Sequence, residues 1–344
     1  MYINLMFSEN KKIYISNWLL LITFFVGAMI VVGGLTRLTD SGLSITKWDL
    51  FTGILPPITK NDWNNFFYLY QQIPEFKLEN SNMTLNQFKI IFWWEYAHRL
   101  LGRIIGLLYL IPILYFTYKK FIDKKSLISL YTILFLILIQ GIVGWYMVKS
   151  GLTERTDVSH FRLSIHLVLA FIILILCFWN YLKFKEINLI KKKKLPYNLA
   201  LILLLFILIQ IGIGGFVSGL DAGKIYQTWP LMNDYFFPDD SNINDFISLK
   251  LFSNPSLLQF IHRNVAYLII LLFIIVSLII FKKQFSKLKK PLLYVSIFLF
   301  FQIMLGVLTL KSDVHIIFAS LHQVCSIFLV GSSVYLLFKS SYTN

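Results

Sequence analysis

The chain has 344 residues, of which 57% are hydrophobic and only 14% are charged, and its mean hydropathy is +0.69. A balance this apolar excludes an ordinary soluble domain and indicates an integral membrane protein. The formal net charge of +15 would by itself allow a nucleic-acid-binding protein. However, the basic residues cluster between apolar segments, so we expect them to report membrane topology, with acidic lipid rather than nucleic acid as their neighbour.

Eight apolar runs, each long enough to cross a bilayer as a helix, predict an all-α integral membrane fold. In chain order they cover 16–35, 90–117, 126–148, 160–182, 197–218, 256–281, 291–310 and 316–338. Basic clusters at 119–125, 183–194 and 282–290 follow every second span. The positive-inside rule then predicts that both termini are cytoplasmic. In a bacterial inner membrane, the alternate loops would be periplasmic.

The spans form an internal repeat of two halves with four spans each. The segment after the first span, "GGLTRLTDSGLSITKWDLFTGILPP", matches in one register the segment after the fifth, "GGFVSGLDAGKIYQTWPLMNDYFFP". Because each half has an even number of spans, the halves share one orientation, which predicts two parallel four-helix bundles. The predicted division is 1–190 and 191–344. The first half has a long outer loop at 36–89, where "DWNNFFYLYQQIPEF" predicts an amphipathic helix on the outer surface.

Four of the six histidines recur in this repeat, one on each even-numbered span: His98, His166, His262 and His322. Each lies roughly 9 to 12 Å below the outer boundary of its span. The simpler interpretation of a histidine at this depth is an interhelical hydrogen bond. Two such histidines in one half, repeated in the other, favour axial ligation of a haem iron. Zinc is less suitable, because no cysteine or carboxylate set repeats with them.

Arginines near these histidines are candidates for neutralising the two propionates of a haem. Arg99 and Arg263 directly follow a candidate ligand, and Arg37 and Arg103 are further candidates. The alternative is that these side chains extend toward lipid headgroups. That alternative is weaker for Arg103, which lies a turn deeper in its span.

The two halves differ three residues before the first histidine, where the first half has Glu95 and the second has Gln259. This spacing places each side chain on the same helix face as its histidine. Because glutamine does not exchange a proton at physiological pH, the difference predicts chemistry in the first half and a bound redox cofactor in the second. The alternative is that Glu95 is a buried hydrogen-bonding residue or lies beside a propionate.

The motifs "WWEYAHRLLGR", "QGIVGWYMVKSGL", "SHFRLSIHL", "QFIHRNVAY" and "LHQ" together resemble the haem A synthase family, and the resemblance covers nearly the whole chain. The long first outer loop is similar to that of the alphaproteobacterial and mitochondrial branch. This resemblance implies a membrane oxidoreductase that oxidises a ring methyl group of haem O to a formyl group. The product, haem A, would serve terminal cytochrome oxidases.

The resemblance also implies ligands, a catalytic residue and partners. His262 and His322 would ligate a haem B cofactor, His98 and His166 would face the iron of the substrate haem O, and Glu95 would be the catalytic carboxylate. Haem O synthase and cytochrome oxidase assembly would be partners, with a homo-oligomer left open. Some relatives have a cysteine pair in an outer loop, which this chain lacks. Its two cysteines, at 177 and 325, lie in apolar spans, where we expect small core residues.

A di-haem electron carrier resembling a cytochrome b subunit is the main alternative function. It predicts two permanently bound haems in equivalent pockets, whereas the difference between Glu95 and Gln259 predicts one resident and one exchangeable haem. A transporter is less suitable, because the repeats are parallel and no span is broken in mid-membrane.

Overall fold

The computed structural model describes residues 2–47, 52–154, 156–186, 190–191 and 196–343. Across these residues the α-helices are α1 (Tyr2–Leu38), α2 (Lys60–Tyr70), α3 (Pro74–Leu78), α4 (Leu85–Tyr118), α5 (Lys124–Glu154), α6 (His160–Lys185), α7 (Pro196–Gly219), α8 (Pro255–Lys282), α9 (Ser286–Lys311) and α10 (Ile316–Ser341). Two short strands, β1 (Ile190–Lys191) and β2 (Tyr342–Thr343), pair antiparallel. Trp48 of the first repeated segment and residues 192–194 of a basic cluster lie outside the described residues.

Within the described residues, eight helices are long and apolar enough to cross a membrane, and they coincide with the eight predicted spans. Helix α4 begins before its apolar run, at a polar cap. Thr84 begins α4 with a capping box in which it and Gln87 each accept a hydrogen bond from the other's backbone N–H. The predicted all-α membrane fold is therefore confirmed, and the cytoplasmic position of the termini stays a prediction.

The contacts of the chain define two compact units. The C-terminal unit comprises Met1–Thr23 and Phe171–Asn344, and the middle unit comprises Phe24–Ala170. The division of the repeat at residue 190 stays a prediction, because these units describe packing and not sequence similarity.

In the C-terminal unit, four helices pack in a closed order: α7 on α8, α8 on α9, α9 on α10, and α10 on α7. Helix α10 supplies much of the buried core, including Val330, Val334 and Phe338. Trp179 of α6 meets Phe338 edge to face, with ring centroids 5.2 Å apart. Cys177 and Cys325 are both free and buried, as predicted for small core residues.

In the middle unit, the outer loop folds back onto the outer ends of α4 and α5. Helix α2 packs on α4 and helix α3 packs on α5. The amphipathic helix exists as α2, but it ends at Tyr70, and α3 begins at Pro74, whose missing N–H suits a first helical turn. Two aromatic side chains of α2, Trp63 and Tyr70, are buried in an aromatic cluster with Phe88 and Phe92 of α4, whereas Tyr68 is exposed. The loop therefore covers the end of α4 that carries the candidate site.

Candidate functional site

The first histidine pair, His98 on α4 and His166 on α6, lies within the middle unit. The two ring centroids are 6.5 Å apart and the ring planes are inclined by 25°. A metal ion about 2 Å from one nitrogen of each ring separates the ring centres by about 6 Å, so the pair fits two axial ligands of one iron. The Nδ1 atoms of both rings are buried and have no hydrogen-bond partner among the described residues. The pair therefore does not act as a mutually satisfied hydrogen-bonding pair.

The second pair, His262 on α8 and His322 on α10, lies within the C-terminal unit, and the two imidazoles are close enough to interact electrostatically. Nδ1 of His322 lies 3.0 Å from the backbone oxygen of Gln302. A ring N–H given to a backbone carbonyl leaves Nε2 as the nitrogen that can bind a metal. The side-chain nitrogen of Gln302 lies 3.3 Å from this Nε2 and would turn away when a metal binds there. Among the described residues, no group of three or more His, Cys, Asp or Glu side chains could hold a metal ion. A haem, which needs only two protein ligands, fits these pairs better than a bare ion does.

Glu95 is 3% exposed, and both of its carboxylate oxygens accept hydrogen bonds. Oε1 accepts from Arg99, at 3.0 Å from Nε and 2.6 Å from Nη2. Oε2 accepts from the hydroxyl of Ser44 at 2.7 Å and from the backbone N–H of Ile45 at 2.7 Å. All four contacts come from donors, which suits an ionised carboxylate. The same contacts fasten the outer loop to α4 one turn before His98.

Gln259 makes a related but simpler contact in the other half. It is also 3% exposed, and its Nε2 donates to the backbone oxygen of Tyr226 at 2.9 Å. Arg263 donates to the same oxygen at 3.0 Å. In the repeat, Tyr226 corresponds to Ile45, whose backbone oxygen accepts from Arg99 at 2.7 Å. Both halves therefore dock a loop on an arginine, and the first half adds a carboxylate.

The four candidate propionate partners have different surroundings. Arg37 pairs with Asp40 at 2.6 Å and lies 3.7 Å from Asp157. Arg99 pairs with the carboxylate described above, and Arg103 lies one turn deeper on α4, within electrostatic range of Arg99. Arg263 donates to backbone oxygens. Two of the candidates thus already contact carboxylates of the chain, and the propionate contacts stay a prediction.

Sequence reasoning missed residues of the outer loop and of α5. Ser44 was not singled out, although the repeat offers a signal, because the corresponding residue is Ile225. An open pocket of about 240 Å³ lies beside Arg99 between the outer loop and α5. Its wall includes Lys149, whose ammonium lies 5.0 Å from the ring centroid of Trp145. The contact of Ser44 with Glu95 and the walls of this pocket join segments that are far apart in sequence, so periodicity does not reveal them.

Comparison with known proteins gives consistent matches over almost the whole chain. Residues 16–334 match the family described as cytochrome oxidase assembly protein. The chain is 50% identical over 338 residues to the heme A synthase of Pelagibacter ubique (strain HTCC1062), covering 97% of this chain and 98% of that protein. It is 44% identical over 337 residues to the heme A synthase of Rickettsia bellii (strain RML369-C), covering 95% and 99%. The heme A synthase of Rickettsia africae (strain ESF-5) is 42% identical over 337 residues, covering 96% and 100%. The resemblance predicted from the motifs is confirmed.

Proposed function

Since this chain belongs to the family of cytochrome oxidase assembly proteins, we propose that it oxidises a ring methyl group of haem O to the formyl group of haem A. The chain is a multi-pass membrane protein, and the product serves terminal cytochrome oxidases. The observation that carries the proposal is the pair His98 and His166, with ring centroids 6.5 Å apart and Glu95 one turn away on the same helix. A carboxylate one turn from this pair supports a role for Glu95 in chemistry on a porphyrin held there.

One histidine pair binds the substrate haem and the other binds the cofactor haem. His98 and His166 hold the iron of the substrate haem O, and His262 and His322 hold a haem B. When bound, that haem supplies reversible one-electron transfer. Oxidation of a methyl to a formyl group removes four electrons and adds one oxygen atom. With water as the source of that oxygen, four protons and four electrons leave the first site in each turnover, and an external electron acceptor takes the electrons.

Glu95 is the proton acceptor of the first site. Its four lone-pair positions all receive hydrogen bonds, so one donor must leave before the carboxylate can take a proton. Ser44 is the donor that can do so, because its hydroxyl also lies 3.3 Å from the backbone oxygen of Ile91. Rotation toward Ile91 frees Oε2 of Glu95 to accept a proton from the methyl carbon or its hydroxylated form. Arg99 keeps the carboxylate in place meanwhile.

The outer loop supports this chemistry by excluding water. The buried aromatic cluster of Trp63, Tyr70, Phe88 and Phe92 lies over the end of α4 that carries Glu95. A dry surrounding strengthens the interaction of the fixed carboxylate with any positive charge that develops on the substrate.

The substrate is supplied and the product is used in a bacterial inner membrane, so the protein lies in that membrane. Its outer loops lie in the periplasm. Haem O synthase, which would deliver the substrate, and the assembling cytochrome oxidase, which would receive the product, are its partners. A homo-oligomer is compatible with this arrangement.

The proposal is tested in a host that makes haem O but no haem A. We expect expression of the full chain to produce haem A, identified by chromatography of haems extracted from the membranes. The proposal is overturned if the protein is present in the membrane with its resident haem, and haem O is still not converted.

The alternative function, a di-haem electron carrier, requires two equivalent sites. The two sites differ at the buried position before the first histidine, Glu95 against Gln259, and in the docked loop, Ser44 against Ile225. The carrier gives no reason for a fully hydrogen-bonded carboxylate at one site alone, so these differences favour the enzyme.

A further inference from the structure

Each of the four histidines faces a glycine of a neighbouring helix. A Cβ added to the glycine would lie 2.9 Å from Cε1 of His98 at Gly33, 3.0 Å from Cε1 of His166 at Gly144, 3.3 Å from Cε1 of His262 at Gly214, and 2.9 Å from Cε1 of His322 at Gly306. Such distances are shorter than nearly all Cβ contacts in proteins. Each ring therefore takes its place only because the facing residue has no side chain.

Three of these glycines are preceded, one helical turn earlier, by a glutamine that contacts the same histidine residue. The contacts are Gln140 Nε2 to His166 O at 3.0 Å, Gln210 Nε2 to His262 O at 2.8 Å, and Nδ1 of His322 to the backbone oxygen of Gln302 at 3.0 Å. The glycine makes room for the ring, and the glutamine links the two helices at the level of the histidine. Hydrogen bonds of this kind between helices stabilise packing in a membrane.

The fourth of these glycines, Gly33 on α1, departs from this pattern, because the residue one turn before it is Met29. The Cε of Met29 lies 3.2 Å from the position of a Cβ at Gly102, one turn after His98 on α4. Met29 therefore occupies against α4 the place that Gln210 occupies against α8. A thioether has no N–H to donate. In the described part of the chain, no side chain donates a hydrogen bond to His98.

We infer that His98 is the ligand that dissociates from the iron when the porphyrin of the first site is exchanged. We also infer that Met29 permits this dissociation, because it gives His98 no hydrogen bond. The inference rests on the proposed function, because a site that takes haem O and gives up haem A must release a porphyrin in every turnover. The glutamines hold His166, His262 and His322 to their neighbouring helices. The second site has such a glutamine at both ligands, as suits a haem that stays bound.

The test gives His98 the missing hydrogen bond with Met29→Gln and uses Met29→Leu, which adds no donor, as the matched control. The full chain is purified with its haems, and their transfer to apomyoglobin is followed by absorbance and identified by chromatography. An interhelical hydrogen bond changes such an equilibrium by about threefold to fivefold. We expect Met29→Gln to slow the release of haem O and haem A by about that factor and to raise the low-spin, six-coordinate fraction of bound haem O. Haem B release should not change.

Equal release of haem O from Met29→Gln and Met29→Leu would overturn the inference. If Met29→Gln does not fold, Gln210→Met gives the converse test, because it should speed the release of haem B by about threefold to fivefold. Unchanged haem B release from that variant would also overturn it. Haem A production by the wild type is measured separately. If the wild type produces haem A while the variants release haem at the wild-type rate, the proposed function stands and only the role of Met29 fails.

Discussion

The loops after α1 and α7 dock on their histidine helices through the same backbone position. In the middle unit the backbone oxygen of Ile45 accepts from Arg99 at 2.7 Å, and in the C-terminal unit that of Tyr226 accepts from Arg263 at 3.0 Å. An arginine directly after a histidine thus serves first to fix a loop over the end of its helix. The sequence pattern "HR", which occurs in both halves, is explained by this shared task.

The two halves differ in what lies beside that arginine. In the first half, Glu95 accepts from Ser44 and Ile45, whereas in the second half Gln259 donates to Tyr226. The Oε1 atom of Gln259 is buried without a hydrogen-bond partner among the described residues. Loop docking thus needs only a polar side chain at this position. We propose that the charge of Glu95 and its hydroxyl partner are additions that serve the chemistry of the first site.

The largest expected effect separates the two histidine pairs. His322→Ala should remove the resident haem and its low-spin spectrum completely, because one axial ligand is lost. His98→Ala should leave that spectrum unchanged and abolish haem A production. His315→Ala is the control, since His315 is exposed just before α10. Retention of the full low-spin spectrum by His322→Ala would contradict the assignment.

The next effect separates chemistry from loop docking. Glu95→Gln should lower the rate of haem A formation by about 10²-fold to 10⁴-fold while the resident haem is retained. Ser44→Ala keeps the carboxylate and removes one hydrogen bond, so we expect a smaller loss. Rates are measured as haem A formed per unit of resident haem. Equal losses in the two variants would mean that Glu95 acts only by anchoring the outer loop.

A buried carboxyl group in the first outer loop predicts a difference in pH dependence. Glu75 is 3% exposed in α3 and accepts from the hydroxyl of Tyr70 at 2.9 Å. Burial raises the pKa of Glu75 to about 8 from an ordinary value of 4.5. The folded protein thus binds more protons than the unfolded chain between these two values, and stability falls as pH rises from 4.5 to about 8. Above that range the effect is constant.

Glu75→Gln should remove this dependence, so the variant should melt at a higher temperature than the wild type at pH 8 and at a similar temperature near pH 4.5. The free energy involved is about 1.4 kcal/mol per pH unit. Glu79→Gln, one turn away and exposed, should follow the wild type. Thermal unfolding in detergent across this pH range gives the comparison, and parallel curves for wild type and Glu75→Gln would refute it.

The smallest effect concerns the second half. Gln259→Leu removes a hydrogen bond to the backbone oxygen of Tyr226, which keeps its contact with Arg263. The free energy of unfolding should fall by about 1 kcal/mol, and haem A formation should change by less than about twofold. A loss of activity as large as that of Glu95→Gln would remove the functional distinction between the two sites.

Much of the fold could be predicted from the sequence, because spanning helices are local features. Runs of about 20 apolar residues and the placement of lysines are sufficient to locate eight spans. The repeat then identifies the four recurring histidines and the difference between Glu95 and Gln259. A spacing of three or four residues on one helix also places Arg99 next to Glu95, although the sequence alone made Arg99 a candidate for a propionate.

The contacts between distant segments could not be predicted in this way. Ser44 reaches Glu95 across 51 residues, and α2 and α3 pack on two different helices, α4 and α5. The same holds for Gln140, whose amide meets the backbone of His166 across 26 residues. Differences between the two halves are the best sequence signal for these contacts, because Ser44 and Met29 are positions where the two halves have different residues.

The central claim, that one site holds a resident haem and the other converts an exchangeable one, is tested most directly by haem stoichiometry. Wild type and Glu95→Gln are produced together with haem O synthase, purified, and their extracted haems quantified by chromatography. We expect one haem B per chain in both proteins, with haem O and haem A in the wild type and haem O alone in Glu95→Gln. Two haem B per chain in both proteins, with neither haem O nor haem A, would contradict it and indicate a di-haem carrier.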